Sequence, residues 1–222
     1  MRRVVLAAAA SSAAVAWNTV IVPRAAWPWA VRTVAHAAAG VTAVAIARAA
    51  GHGSGWEDLG LHPGHARAGL AAGTRIVVLP SLGCLGVAGA LAARRAVAGR
   101  PGPPLGPLAA WTLFHIPVGT VLAEELLFRS ALDALWRDAL PLARHGRWPA
   151  RLAGAATFGA WHVAPARCAG HSVGSTVLVT MLGGVVFTSL TSATSSVVAP
   201  AVVHYAMNAG GALIVHMVDA NQ

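Results

Sequence analysis

The chain has 222 residues, of which 56% are hydrophobic and only 10% charged, and its mean hydropathy is +0.63. Soluble domains carry about 25% charged residues, so this composition excludes a water-exposed globular surface and reads as one integral membrane domain over 1–222. The formal charge of +9 is the balance of 16 arginines, with no lysine, against seven acidic residues. The arginines are scattered between apolar segments rather than gathered into a stripe, which argues against a nucleic-acid partner and suits residues flanking membrane helices.

A membrane span needs about 20 helical residues. Seven apolar segments approach that length, at about 4–22, 28–50, 72–93, 107–136, 150–165, 173–191 and 196–218. The expected fold is therefore all-α, a polytopic transmembrane bundle of about seven spans. The first segment follows Met1-Arg2-Arg3 and contains Ala14-Val15-Ala16, a pattern that a cleaved secretory signal shares. Its apolar character continues through Val22, so an uncleaved first helix is expected. Pro and Gly end helices, and the segments Gly51 to Arg67 and Ala98 to Pro107 are rich in them, so both read as loops.

With the amino terminus inside, nine arginines fall on the inner side and six, among them Arg94, Arg95, Arg100 and Arg167, on the outer, a small bias toward that orientation. Trp27, Trp29, Trp56, Trp111, Trp136 and Trp148 lie near expected helix ends, where interfacial aromatics belong. Cys84 and Cys168 form no CxxC pair, so no structural disulfide or thiolate metal site is expected.

The fourth segment holds Glu124-Glu125-Leu126-Leu127-Phe128-Arg129, charges that a bilayer interior tolerates at a cost of roughly 2.5 kcal/mol or far more each. Adjacent helical residues point about 100° apart, so the two carboxylates are expected to face different partners. Glu125 and Arg129, at i and i+4, are placed to pair, which leaves Glu124 to face a cavity as a base. A purely structural set of ion pairs, with Asp133 joining them, is the alternative.

In the fifth segment Phe158 and His162 share a helix face, and in the seventh His204 and Asn208 do the same, two polar groups suited to a metal or a developing oxyanion. His36, His115 and His216 have no polar neighbour at helical spacing, although His115 could face the same cavity above Glu124.

Glu-Glu-x-x-x-Arg, Phe-x-x-x-His and His-x-x-x-Asn, in this order on three membrane helices, resemble the CPBP family, the intramembrane proteases that include the type II CAAX prenyl proteases and the bacterial Abi proteins. Gly183-Gly184, and Ser195-Ser196 through Pro200, extend the likeness. It covers roughly 107–212, the expected catalytic core, and many relatives carry an eighth helix beyond the point where this chain ends. The resemblance implies an intramembrane endopeptidase acting on a membrane-embedded or membrane-associated protein or peptide. Glu124 would activate water, with His162 orienting or sharing it. His204 and Asn208 would steady the oxyanion, while Glu125 and Arg129 would lock the helix.

Zinc is the cofactor the family's usual label suggests, with Glu124, His162 and His204 as ligands and an open position for water. The same residues also serve a metal-free mechanism, and the HExxH spacing is absent. The expected location is a bacterial inner membrane. Alternative functions are a non-catalytic role in bacteriocin self-immunity or as a scaffold, and ion or proton transport. The last predicts inverted repeats, which the sequence lacks. Small residues are abundant enough to permit an oligomer and are equally needed inside the bundle.

Overall fold

We describe the protein from a computed structural model, which covers residues 1–51, 55–97, 105–140 and 147–219. These are predominantly helical, with no strand among them. The helices are α1 (Arg2–Ala25), α2 (Trp29–Ala49), α3 (Ala66–Val97), α4 (Gly106–Ala139), α5 (Trp148–Trp161), α6 (Val163–Cys168), α7 (Val173–Thr194) and α8 (Val198–Asp219). Six of them, all but α5 and α6, are long and apolar enough to cross a membrane, and the chain is an integral membrane protein. Each expected segment is helical, the fifth as two helices; most ends reach a few residues beyond the apolar run, whereas both ends of α2 and the start of α8 fall just inside it. The two expected loops lie partly outside the described residues, at 52–54 and 98–104, as do Arg100 and Arg144 of the arginine count.

Proline accounts for several of the places where the helices depart from regularity. A proline cannot donate to the carbonyl four residues earlier, and its ring crowds that carbonyl. α1 widens to π-helical turns over Trp17–Ile21 just before Pro23, and α4 does so over Trp111–Leu122, around Pro117. α4 is π-helical again over Glu125–Leu132. The expected fifth span is two helices, because Pro165 leaves the carbonyl of Trp161 without its helical donor and the chain breaks at His162 (φ −88°, ψ 2°).

α4 is the central element. One face joins Phe128, Leu132 and Leu135 to Ala7 and Ala14 of α1 and to Phe158 and Trp161 of α5. The other joins Leu126, Ala131 and Ala134 to Val44 and Ala47 of α2 and to Leu59. Leu59 belongs to the short stretch between α2 and α3, and this stretch acts as a strap. Ser130 Oγ donates to the Leu59 carbonyl at 2.7 Å, and the Gly60 carbonyl accepts from the Val197 amide at 2.9 Å. The strap thereby ties α4 to the start of α8.

α3 lies at the edge of the bundle, packed mainly on α8, and its Leu79, Leu82 and Leu85 are exposed as lipid-facing residues should be. α5 packs on α7, where Gly159 permits the contact: a Cβ there would lie 2.9 Å from the Val177 carbonyl oxygen.

Candidate active site

Four charged or titratable side chains meet where α4 crosses α8. Glu124, Glu125 and Arg129 of α4 and His204 of α8 are all buried, at 5%, 2%, 2% and 6% exposure. Glu125 Oε2 lies 3.3 Å from Arg129 Nε, an ion pair whose atoms miss hydrogen-bond geometry. The guanidinium is enclosed by rings, with its carbon 4.2 Å from the centroid of Phe158 and 5.1 Å from that of Phe187. The expected i, i+4 pairing is present, and the aromatic box around it replaces the water that a guanidinium would otherwise keep.

Glu125 has a second partner. Its Oε1 accepts from His204 Nδ1 at 2.8 Å. An ionised carboxylate only accepts, so Nδ1 carries the hydrogen, and Nε2 is turned toward Glu124 Oε2 at 3.7 Å. The expectation that adjacent carboxylates face different partners is corrected here. Both flank one imidazole, because the ring offers nitrogens on two edges and the α4 backbone changes to π-helical geometry at Glu125.

Glu124 is anchored from another direction. Trp161 Nε1 donates to Glu124 Oε1 at 3.0 Å, whereas Oε2 is buried without a hydrogen-bond partner. Two residues outside the three motifs support Trp161. Asn18 Nδ2 of α1 donates to the Trp161 carbonyl at 2.9 Å, the oxygen that Pro165 leaves free, and the His36 ring of α2 packs edge-on against the indole at 5.8 Å. Sequence reasoning missed this support. Asn18 was detectable as an amide inside an apolar span, where a polar residue needs a reason, but nothing in the sequence paired it with Trp161.

The other expected site residues are nearby but turned aside. His162 Nδ1 donates to the Phe158 carbonyl at 2.8 Å, and its ring lies 4.7 Å from the Phe158 ring. Asn208 Nδ2 donates to the His204 carbonyl at 3.1 Å. His115 joins a different group, stacked on Trp111 at 3.9 Å and bonded to Thr33.

The expected zinc ligands are consequently not assembled. Glu124 Oε2 and His204 Nε2 face one another, but His162 is bonded to its own helix. Among the described residues no group of three or more His, Cys, Asp or Glu side chains is arranged to hold a metal ion. A catalytic zinc site takes three protein ligands, so the residues as placed do not fit one.

An apolar cavity of about 600 Å³ opens beside this region, between α1, α2 and α4, lined by residues such as Leu6, Ala39, Ile46, Leu127 and Leu132. Trp17 is part of its wall and packs on His36, which packs on Trp161, so the cavity adjoins the support of Glu124.

No curated protein and no solved structure matches the chain. Residues 106–210 match the family described as Type II CAAX prenyl endopeptidase Rce1-like, and this segment contains all three motifs. That description is of an endopeptidase, and the matched segment takes in all or most of three of the six long apolar helices found here. Over residues 106–210 the chain is thus similar to the Rce1-like type II CAAX prenyl endopeptidases, a match consistent with its resemblance to the CPBP proteases.

Proposed function

We propose that the protein is an intramembrane endopeptidase in which Glu124 activates the water that hydrolyses a peptide bond of a membrane-associated protein or peptide. The observation that carries this reading is the facing pair, Glu124 Oε2 and His204 Nε2, buried together at 3.7 Å with the carboxylate oxygen unpartnered. Two atoms at that separation can share one water at about 2.8 Å from each.

In the reaction, Glu124 Oε2 takes a proton from the water as its oxygen attacks the scissile carbonyl carbon. The same proton then passes to the leaving nitrogen as the C–N bond breaks. His204, oriented by Glu125 in the way a carboxylate orients a catalytic imidazole, presents Nε2 as an acceptor to the attacking water. His162 and Asn208 take the roles that the family resemblance implies once their side chains turn from the carbonyls they now serve. The cavity lined by α1, α2 and α4 supports a substrate with an apolar portion that arrives from the bilayer. A bacterial inner membrane is the proposed location.

The test compares wild type with Glu124→Gln against quenched membrane-soluble peptides in detergent. Amidation removes the base while keeping the shape, so cleavage should fall at least about 100-fold. Bound zinc measured on both preparations tells whether a metal completes the site, for which His162 would have to turn toward Glu124 and His204. Equal cleavage by the two proteins would sink the glutamate-activated water. Absence of cleavage by both across many peptides would favour a binding, immunity or transport role.

A further inference from the structure

Glu124 is held on one oxygen only, and the residue that holds it lies outside the set that the three motifs supply. We infer that Trp161 is a positioning residue, whose indole N–H fixes Glu124 Oε1 and so presents Oε2 alone to His204 and the reacting water. This deepens the protease reading and rests on it for its catalytic meaning.

An ionised carboxylate has two equivalent oxygens with about four lone-pair directions, and in a cavity it can rotate between several poses. A general base needs one lone pair aimed at one proton. The Trp161 donor removes the freedom, since a hydrogen bond to a charged acceptor is about twice as strong as a neutral one. The contact is 3.0 Å long and both residues are buried, at 3% and 5% exposure. An indole nitrogen donates and never accepts, so Trp161 can orient Glu124 without competing for the proton that Glu124 carries.

Trp161 is itself held from three elements, through its backbone and its ring. Pro165 cannot donate to the Trp161 carbonyl, and Asn18 Nδ2 fills the vacancy at 2.9 Å from α1. The Phe128 ring of α4 meets the indole at 5.4 Å and 82°, and the His36 ring of α2 meets it at 5.8 Å and 61°. Pro165 thus has a use beyond the helix break at His162: it frees a backbone acceptor by which α1, outside the matched segment 106–210, helps to set the aim of Glu124.

The test has a kinetic arm and a spectroscopic arm. Trp161→Phe keeps a ring against Phe128 and His36 but has no donor. It should lower kcat about 10- to 100-fold, the loss expected for one hydrogen bond to a charged group, and leave KM within about threefold. In protein labelled with ¹⁵N-tryptophan, Glu124→Gln should move one indole N–H resonance among the eight tryptophans upfield, as a charged acceptor becomes neutral.

Wild-type kcat in Trp161→Phe, or indole resonances that all stay in place in Glu124→Gln, would overturn the inference. The spectroscopic arm needs no turnover and no folded Trp161→Phe. An indole that moves in a wild-type background that cleaves nothing would support the anchoring of Glu124 and count against the protease reading instead.

Discussion

Arg129 is among the largest side chains that the fold buries completely, and its surroundings state the conditions under which a membrane protein keeps such a charge. One carboxylate neutralises it at 3.3 Å, and the rings of Phe158, Phe187 and Phe128 cover the rest. The phenylalanine of the Phe-x-x-x-His motif therefore has a physical role that its spacing did not disclose: it faces the guanidinium and packs edge-on against Phe128 at 4.9 Å. Removing one member of a buried pair strands the other, at about 3–5 kcal/mol. Arg129→Ala should lower the thermal midpoint and the folded yield, and adding Glu125→Gln should restore part of the loss, because a neutral amide tolerates burial better than an unpaired carboxylate. If Arg129→Ala melted like wild type, the pair would not be holding α4. The pairing of Glu125 with Arg129 was legible from i, i+4 spacing alone. The sharing of His204 by Glu124 and Glu125 was not, because it depends on the crossing of α4 and α8 and on the π-helical geometry of α4, neither of which a helical wheel contains.

Between α2 and α4 the approach is backbone to backbone. A Cβ on Gly40 would lie 2.7 Å from the Ala123 carbonyl oxygen and 3.2 Å from its Cα, on the residue immediately before Glu124. Helices in lipid associate through small residues that allow this closeness, and an extra methyl in a filled contact costs about 1–3 kcal/mol. Gly40→Ala should push α2 outward, lower the melting temperature and reduce cleavage by shifting Glu124. Gly83→Ala on α3, where nothing lies within 4 Å, should change neither. Equal behaviour of the two variants in a melting and cleavage assay would show that the contact does not position the site. At this scale the sequence was most informative: long apolar runs bounded by Pro, Gly and Arg placed the six long helices, though not the break between α5 and α6. It was silent on partners, since Gly40 and Gly83 look alike in an apolar stretch and differ only in what another helix brings against them. The roles of α1 and α2 beside Glu124 were hidden for the same reason, since Asn18 and His36 carry no local pattern with the residues they touch.

For the molecule as a whole, the open question of architecture is whether α5 and α6 together cross the membrane, since neither is long enough alone. Together Trp148 to Cys168 would reach about 30 Å at 1.5 Å per residue, the thickness of the hydrocarbon core. Their neighbours argue for a crossing. α4 ends beside the first half of α1, where Trp136 Nε1 donates to Ser11 Oγ at 3.0 Å, and α5 starts a short connection later. By Trp161 the chain has reached Asn18, and α6 packs against the turns Trp17–Ile21, so α5 and α6 ascend alongside α1 and in the same direction. On this packing seven crossings are expected, with the two ends of the described chain on opposite faces. The native cysteines offer the test, because Cys168 is exposed at the far end of α6 whereas Cys84 lies within α3. In sealed vesicles of known sidedness, a membrane-impermeant maleimide should label wild type from the face opposite an amino-terminal tag, and Cys168→Ser should abolish the signal. Labelling from the same face as the tag would mean that α5 and α6 enter the bilayer and return, leaving six crossings and inverting every assignment of sidedness from α7 onward.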